Sequence, residues 1–253
     1  MISLKTPQEI KILQQGGKIL SEVLHQVARA TKPGVSAEDL DKLAYKLIKE
    51  KGGEPSFLNY QPDFASAPFP NSLCVSVNDV VVHGVPYANL IIRSGDIVSL
   101  DLGLKYKGLY TDMALTIGVG KINPLYRKMI AVCRGALQAG IRAAISGNTL
   151  GDIGYAIQSF VEKRGFVVIK DLVGHGVGYT PHEDPLVLNF GKPHQGIPLK
   201  TGMVLALEPM ITLGNGAVKE KSDGSFVTAN KEVAVHWEKT IAVGRRKPIV
   251  ITP

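Results

Sequence analysis

Two stretches of this chain present the same motifs in the same order, and that recurrence constrains the fold more than any single element does. "KPGVSAEDL" at 32–40 is answered by "ISGNTLGDI" at 145–153, and "VHGV" at 82–85 by "GHGV" at 174–177. "GDIVSLD" at 95–101 is answered by "GMVLALE" at 202–208, and "TIGVG" at 116–120 by "TIAVG" at 240–244. The separations are unequal, which excludes a solenoid period and points to an old duplication whose loops have drifted. The 253 residues are therefore expected to form one domain of two related halves, about 1–121 and 122–253.

Local chemistry places the elements. In "TPQE", Thr6 stands as N-cap, Pro7 at the first helical position and Glu9 as capping-box partner. Ile10, Leu13, Leu20, Leu24 and Val27 recur at helical spacing until "KPG" at 32–34 stops them. Ser36 and Asp39 cap a second helix, ended by "KGG" at 51–53. A loop rich in proline and aromatics spans 55–70; strands follow near 73–82 and 91–104, with a return arm from Leu109 to Val119. In the second half Asn123 and Pro124 open a helix running to 145–147, and Thr149 with Asp152 caps another that Gly165 ends. Strand-like "FVVI", "GMVLALEP" and "VAVHWEKTIAV" complete the pattern. Two helices followed by strands, twice over, predict an α/β fold of the α+β type, with helices covering a shared, curved, mostly antiparallel sheet. Polar groups supplied by both halves then meet near a pseudo-twofold axis.

The acids fit that expectation awkwardly and therefore informatively. "SLDLGLKYKGLYTD", Ser99 to Asp112, has the apolar alternation of a core hairpin, yet each arm carries an aspartate. Folding it about Tyr106 and Lys107, with Gly108 relaxing the turn, sets Asp101 directly opposite Asp112, where like charges repel. Either the turn lies elsewhere and the acids diverge, or they share a proton, or a cation sits between them. The second half shifts the balance. Glu208 precedes Pro209, which makes it a strand-end residue. Glu238 interrupts an alternating strand two positions before Thr240, while Asp112 lies four before Thr116, so both offsets are even and both acids share a face. Four buried carboxylates without compensation exceed what a marginally stable fold absorbs. Divalent cations would balance them, and a carboxylate-bridged metal pair is a recurrent hydrolytic arrangement.

Of six histidines, His25 on a helix surface and His194 in a proline and glycine loop read as bystanders, and His236 beside Glu238 reads either way. His175 sits between glycines in "GHGVG", which permits close backbone approach; His182 follows in "PHEDP", and His83 occupies the place of His175 in the first half. One of these three is expected to bind metal and two to face a substrate. A carboxylate-rich set with one imidazole suits manganese, iron, cobalt or zinc.

Composition narrows the setting. Hydrophobic residues at 45% and charged residues at 20% describe a globular chain rather than a disordered one. Cys74 and Cys133 are too few for a disulfide framework, and "MISLKTPQEI" lacks the basic head and apolar run of a secretory signal. No apolar run reaches the length of a membrane span. The expected place is the cytoplasm, with no membrane partner. The charge of +7 is scattered, with "GRRK" at 244–247 its tightest cluster; it reads as a solvated basic surface that also favours transient encounter with a ribosome or other polyanion, and no specific nucleic-acid site is expected.

Five motifs together resemble the methionine aminopeptidases, in order and over essentially the whole chain: "VNDVVVHGVP", "GDIVSLDLG" with "YTDMALTI", "GHGVGYTPHEDP", "LALEPM" and "HWEKT". The compact length, without a large insertion in the second half or an N-terminal zinc-binding extension, is similar to type I members. The resemblance implies the pita-bread fold, two divalent metal ions, and hydrolysis of the bond after a first methionine in peptides and nascent chains, by a monomer. Carried over by position, it implies Asp101, Asp112, His175, Glu208 and Glu238 as metal ligands, with Asp112 and Glu238 bridging. It implies proton transfer by Glu208, contact of His182 with the developing oxyanion, contact of His83 with the scissile nitrogen, and binding of the substrate amine to metal. Cys74 and Phe69 fall at positions where the family lines its methionine pocket, or else simply pack in the core.

Some positions depart from the family. The 55–70 loop is long, Pro181 replaces an aromatic, "SDGSF" lacks a tryptophan, and Lys239 stands where a histidine or aspartate is common. Competing readings are an Xaa-Pro peptidase of the same fold, whose members usually carry an extra N-terminal domain, and a pita-bread protein that binds RNA or ribosomes and has lost catalysis.

Overall fold

A computed structural model of the chain describes residues 2–62 and 67–253; four residues of the 55–70 loop, 63–66, lie outside it. The helices begin where side-chain chemistry starts them. Helix α1 (Pro7–Ala30) has Thr6 as N-cap with a reciprocal capping box, the Glu9 carboxylate accepting from the Thr6 amide at 2.7 Å. Helix α2 (Ala37–Glu50) is capped by Ser36, whose hydroxyl accepts from the Asp39 amide at 3.1 Å. Asn123 caps α3 (Pro124–Ala143), and Thr149 with Asp152 forms a second capping box at α4 (Leu150–Glu162). Each box satisfies two amides that the first turn leaves without intrahelical partners.

The strands are β1 (Glu54–Pro55), β2 (Leu73–Val77), β3 (Val80–Val82), β4 (Ile97–Tyr106), β5 (Leu109–Gly118), β6 (Val167–Val168), β7 (Gly174–Gly176) and β8 (Glu183–Val187). They continue as β9 (Val204–Leu207), β10 (Met210–Thr212), β11 (Val218–Glu220), β12 (Phe226–Thr228), β13 (Ala234–His236), β14 (Lys239–Ala242) and β15 (Ile249–Val250). All ladders between these strands are antiparallel, as expected. They do not form one shared sheet: the strands divide into β1-β4-β2 with β5 on β4, β13-β10-β6, β11-β12-β3, and β15-β14-β9-β7-β8. Residues 91–96, expected as strand, are loop, with a turn at Ser94 and Gly95.

The β4–β5 hairpin positions half of the site. Its loop is Lys107–Gly108, both at positive φ (49° and 82°), the two-residue turn whose twist suits a hairpin. Tyr106 therefore pairs with Leu109, one step further along than the sequence suggests. Asp101 then pairs with Ala114 and Asp112 with Gly103, so the two aspartates are diagonal neighbours rather than opposed. The partner shift is two residues, and a shift of two preserves the face.

Alternation then sorts the hairpin. Leu100, Leu102, Leu104, Met113 and Leu115 pack beneath α1 and α2 against Leu20, Leu24, Leu40 and Ile48. Truncating one of these fully buried leucines, such as Leu102→Ala, removes about 2–5 kcal/mol. Ser99, Asp101, Asp112 and Thr116 face the other way. In the second half Val132, Leu137, Ile153 and Ile157 of α3 and α4 cover Leu205, Leu207 and Ile241. The single tryptophan, Trp237, packs against both of these clusters.

Candidate metal centre

Asp101 and Asp112 project from the polar face of the hairpin. Asp112 is fixed by its own backbone: its amide donates to Thr240 Oγ1 and its carbonyl accepts from the same hydroxyl, both at 2.8 Å. Thr240 in β14 thereby ties the first half to the second.

Glu208 follows the end of β9 and precedes Pro209, as the proline requires. Its carbonyl accepts from Asn189 Nδ2 at 3.0 Å. Glu238 does not interrupt a continuous strand. It lies between β13 and β14, which belong to different sheets, and its amide donates to the Ala114 carbonyl at 2.9 Å. The break turns the carboxylate toward the hairpin, and the shared face expected from parity survives for a different reason.

His175 lies in β7, wedged between β8 and β9. A Cβ at Gly174 would sit 2.4 Å from the Ala206 carbonyl oxygen and one at Gly176 2.2 Å from that of Asp184, so only glycine permits this approach. His175 Nδ1 lies 2.9 Å from the Gly176 carbonyl, which makes Nδ1 the protonated nitrogen and leaves Nε2 as a lone-pair donor. Nε2 is 3.4 Å from Glu208 Oε1, and His236 Nε2 is 3.5 Å from Glu208 Oε2. His236, ambiguous in the sequence, is thus fully buried beside the acids.

All five expected ligands are buried, with at most 9% of any of them exposed. Burial pushes Asp101 up to about 7, against the opposing pull of His236, and burial with repulsion from the neighbouring acids holds Asp112 and Glu238 well above the carboxylate range. Burial also raises Glu208 to about 7, against the opposing pull of His175. Asp101 Oδ1 and Glu238 Oε1 have no hydrogen-bond partner among the described residues. Asp112, His175 and Glu238 each offer a ligand atom, all within 4.8 Å of one another. Buried carboxylates, Glu238 among them with an unpartnered oxygen, converging with an imidazole fit a divalent cation of the manganese, iron, cobalt or zinc type.

These groups line a cavity of about 940 Å³, and so do His83, His182, Cys74 and Phe69. His83 is held at positive φ (56°), a sparsely populated conformation for a non-glycine residue. Gly84 beside it packs so tightly that a Cβ would lie 2.3 Å from the Val75 carbonyl oxygen. The His182 ring stacks on Tyr60 with centroids 5.3 Å apart, its Nδ1 3.0 Å from the Tyr60 hydroxyl, and stands edge-on to His175 at 4.3 Å. Desolvation and neighbouring imidazoles lower His83 to about 4 and His182 to about 3, so both are neutral at ordinary pH.

Cys74 pairs with Asp101 across the β2–β4 ladder and is buried, its thiol raised well above its ordinary pKa by burial and the adjacent acids. Phe226 meets His83 edge-on at 5.9 Å and gives the "SDGSF" segment an aromatic wall in place of tryptophan. Pro181 borders a smaller neighbouring hollow that shares Tyr60 and His182 with the main cavity. Lys239 donates to the Thr252 carbonyl at 2.6 Å. His25 and His194 are exposed, as expected.

Sequence reasoning missed Thr240, Asn189 and Tyr60 as supporting groups. Thr240 carried a signal, since "TIAVG" answers "TIGVG"; Asn189 and Tyr60 sit outside any repeated motif.

A model of metallopeptidase family M24 matches residues 11–245 of this chain. The methionine aminopeptidase of Clostridium acetobutylicum is 41% identical over 253 residues, covering 100% of this chain and 99% of that protein. Methionine aminopeptidase 1 of Bacillus subtilis is 40% identical over 244 residues, 96% of each. The crystal structure of methionine aminopeptidase from Thermotoga maritima matches with a TM-score of 0.95 at 38% identity, over 100% of this chain and 99% of that one. Xaa-Pro dipeptidase from Bacillus anthracis matches with a TM-score of 0.76 at 22% identity, over 98% of this chain but 61% of that one, a likeness of fold alone.

Proposed function

This chain belongs to metallopeptidase family M24, and from that premise we propose that it is a metal-dependent aminopeptidase removing the N-terminal methionine from peptides and nascent proteins. The reading is carried by the convergence of five acid and imidazole side chains from both halves on one cavity. Full-length identity of about 40% to methionine aminopeptidases supports it.

Asp101, Asp112, His175, Glu208 and Glu238 are the residues that would hold divalent ions. A divalent metal bound there would supply Lewis-acid polarisation of the scissile carbonyl and a lowered pKa for water. Glu208 accepts a proton as water attacks and returns it to the leaving amine. His182, with Nδ1 toward the Tyr60 hydroxyl, uses Nε2 to donate to the carbonyl oxygen as charge develops on it. His83 contacts the scissile nitrogen. Cys74 and Phe69, with Phe57 and Phe226, wall the space for the methionine side chain.

No helix among the described residues is long and apolar enough to cross a membrane. We place the enzyme in the cytoplasm as a monomer, with the scattered net charge of +7 favouring transient ribosome contact.

The test is hydrolysis of Met-Ala-Ser by metal-stripped protein titrated with manganese, cobalt, iron or zinc under anaerobic conditions. An Asp101→Ala control and Ala-Pro-Gly as alternative substrate accompany it. Activity that returns with metal, is absent in the control and is confined to the methionyl peptide supports the proposal. Cleavage of Ala-Pro-Gly alone assigns the chain to Xaa-Pro peptides, and silence of folded protein in every metal refutes a peptidase.

A further inference from the structure

His182 projects from a short connection between β7 and β8, and its neighbour Glu183 forms a largely buried ion pair with Lys5, far away in sequence. The Lys5 ammonium, its side chain 1% exposed, lies 2.6 Å from Glu183 Oε2. Ser3 Oγ donates to the same oxygen at 2.6 Å. The other carboxylate oxygen, Oε1, accepts from the amides of Tyr179 and of Thr180, the latter at 3.1 Å. Thr180 Oγ1 then donates to the His182 carbonyl at 2.7 Å. Gly178 packs directly on the Lys5 stem, so closely that a Cβ there would lie 2.3 Å from Lys5 Cε, and the ammonium sits 4.5 Å from the centre of the Tyr179 ring. Tyr179 is tied back to α1 through its hydroxyl, which donates to Glu9 at 2.8 Å. Two consecutive amides of the 178–183 connection, those of Tyr179 and Thr180, thus lead to Glu183, and Glu183 is balanced by Lys5, while the Gly178 carbonyl is held separately by the Tyr110 amide at 2.8 Å.

We propose that Lys5 is a positioning residue for His182, acting through Glu183. The proposal rests on the aminopeptidase reading for its catalytic consequence, though not for its geometry. Burial alone would raise the Glu183 carboxyl; the donors from Lys5, Ser3 and Thr180 outweigh it and keep the group ionised. An ionised carboxylate holding two amides is a stiff corner, and removing the cation forces it either to take up a proton or to turn toward water. The connection then relaxes and His182 leaves its stack on Tyr60 and its edge contact with His175. A misplacement of about 1 Å at a group that meets developing charge is enough to lower turnover roughly 100-fold.

The experiment compares Lys5→Met with Lys5→Arg, and both with a His182→Ala background. Expected for Lys5→Met is a fall in kcat of roughly 10–100-fold with KM within about threefold, unchanged metal stoichiometry, and partial rescue by Lys5→Arg. In the His182→Ala background Lys5→Met should add nothing further. A full additional loss in that background overturns the proposal. Where the single variant is unstable, Lys5→Met with Glu183→Gln removes both charges and is read the same way. A second readout does not need turnover: the ring nitrogen resonances of His182, assigned by their loss in His182→Ala, should shift or broaden in Lys5→Met. Their persistence unchanged overturns the proposal even if the wild type cleaves no peptide, whereas a shift without any wild-type activity upholds it and refutes only the peptidase reading.

Discussion

The two halves of this molecule deliver acids to one place by different means. Asp101 and Asp112 stand in the middle of a hairpin whose ten residue pairs run without a break, so the ladder itself fixes their backbones. Glu208 and Glu238 stand where strands stop, one before a proline and one between sheets, and their backbones are pinned outside any ladder, the Glu208 carbonyl by Asn189 and the Glu238 amide by Ala114. The side chains match the scaffolds: the short acid is used where the backbone is regular and close, the longer one where the chain has to reach in from a strand end. The lesson is that the first arm owes its geometry to secondary structure and the second to tertiary contacts, so substitutions should affect them unequally.

The largest effect should come from the ladder arm. Asp112→Ala is expected to abolish metal uptake and lower kcat/KM by on the order of 10³-fold, measured by metal titration and peptide hydrolysis, while unfolding stability without metal holds or rises. Retention of full metal stoichiometry would show that the second arm suffices.

The metal-free protein should betray the second arm through pH. Glu208 has a folded pKa of about 7, above the ordinary 4.5. The folded state therefore binds the extra proton between those values, and stability falls as pH rises through that window. His83 and His182, lowered to about 4 and about 3, act in the opposite sense below about 6.5. Comparing Glu208→Gln with wild type isolates the glutamate: in chelator, the variant should be more stable by about 3 kcal/mol at pH 8 and equal at pH 4. Saturating metal should reverse the ranking, because the ligands bind it deprotonated.

Thr240 joins the arms, and Thr240→Val tests the joint. Two buried backbone groups of Asp112 lose their partner, at about 2 kcal/mol of stability, together with a fall in activity of roughly 10–100-fold. Denaturant unfolding and kcat read the two parts. Smallest should be Asn189→Ala, which frees one carbonyl of Glu208: about 1 kcal/mol and roughly tenfold in activity. A larger effect at Asn189 than at Thr240 would reverse the comparison.

The same contrast explains what could be read from the sequence. All four helices were legible because caps are local: Thr6 with Glu9 and Thr149 with Asp152 need only three intervening bonds of chain to act. The hairpin was legible in face but not in register, since the turn at Lys107–Gly108 depends on two positive φ angles that only Gly108 announces. A one-step error in the turn moved the partner by two, and so Asp101 and Asp112 still shared a side. Glu238 was read within one strand because "VAVHWEKTIAV" alternates throughout; at the break, Trp237 packs against two cores, a tertiary feature that no local pattern encodes. The division into four sheets and the burial of His236 are tertiary features as well. Tyr60, in a loop whose neighbours 63–66 lie outside the described residues, offered no periodicity to read.

The bond from Thr240 to Asp112 spans 128 residues of chain, and that separation has a consequence in time. At about 5–20 residues per second of synthesis, the hairpin, complete at Gly118, waits roughly 6–24 seconds before its anchor has been made. During that interval two aspartates lie side by side with neither Glu238 nor the hydroxyl that fixes them. The site is thus incomplete through much of the chain's own synthesis, and it comes into being only when β13 and β14 close over a hairpin that has been waiting for them.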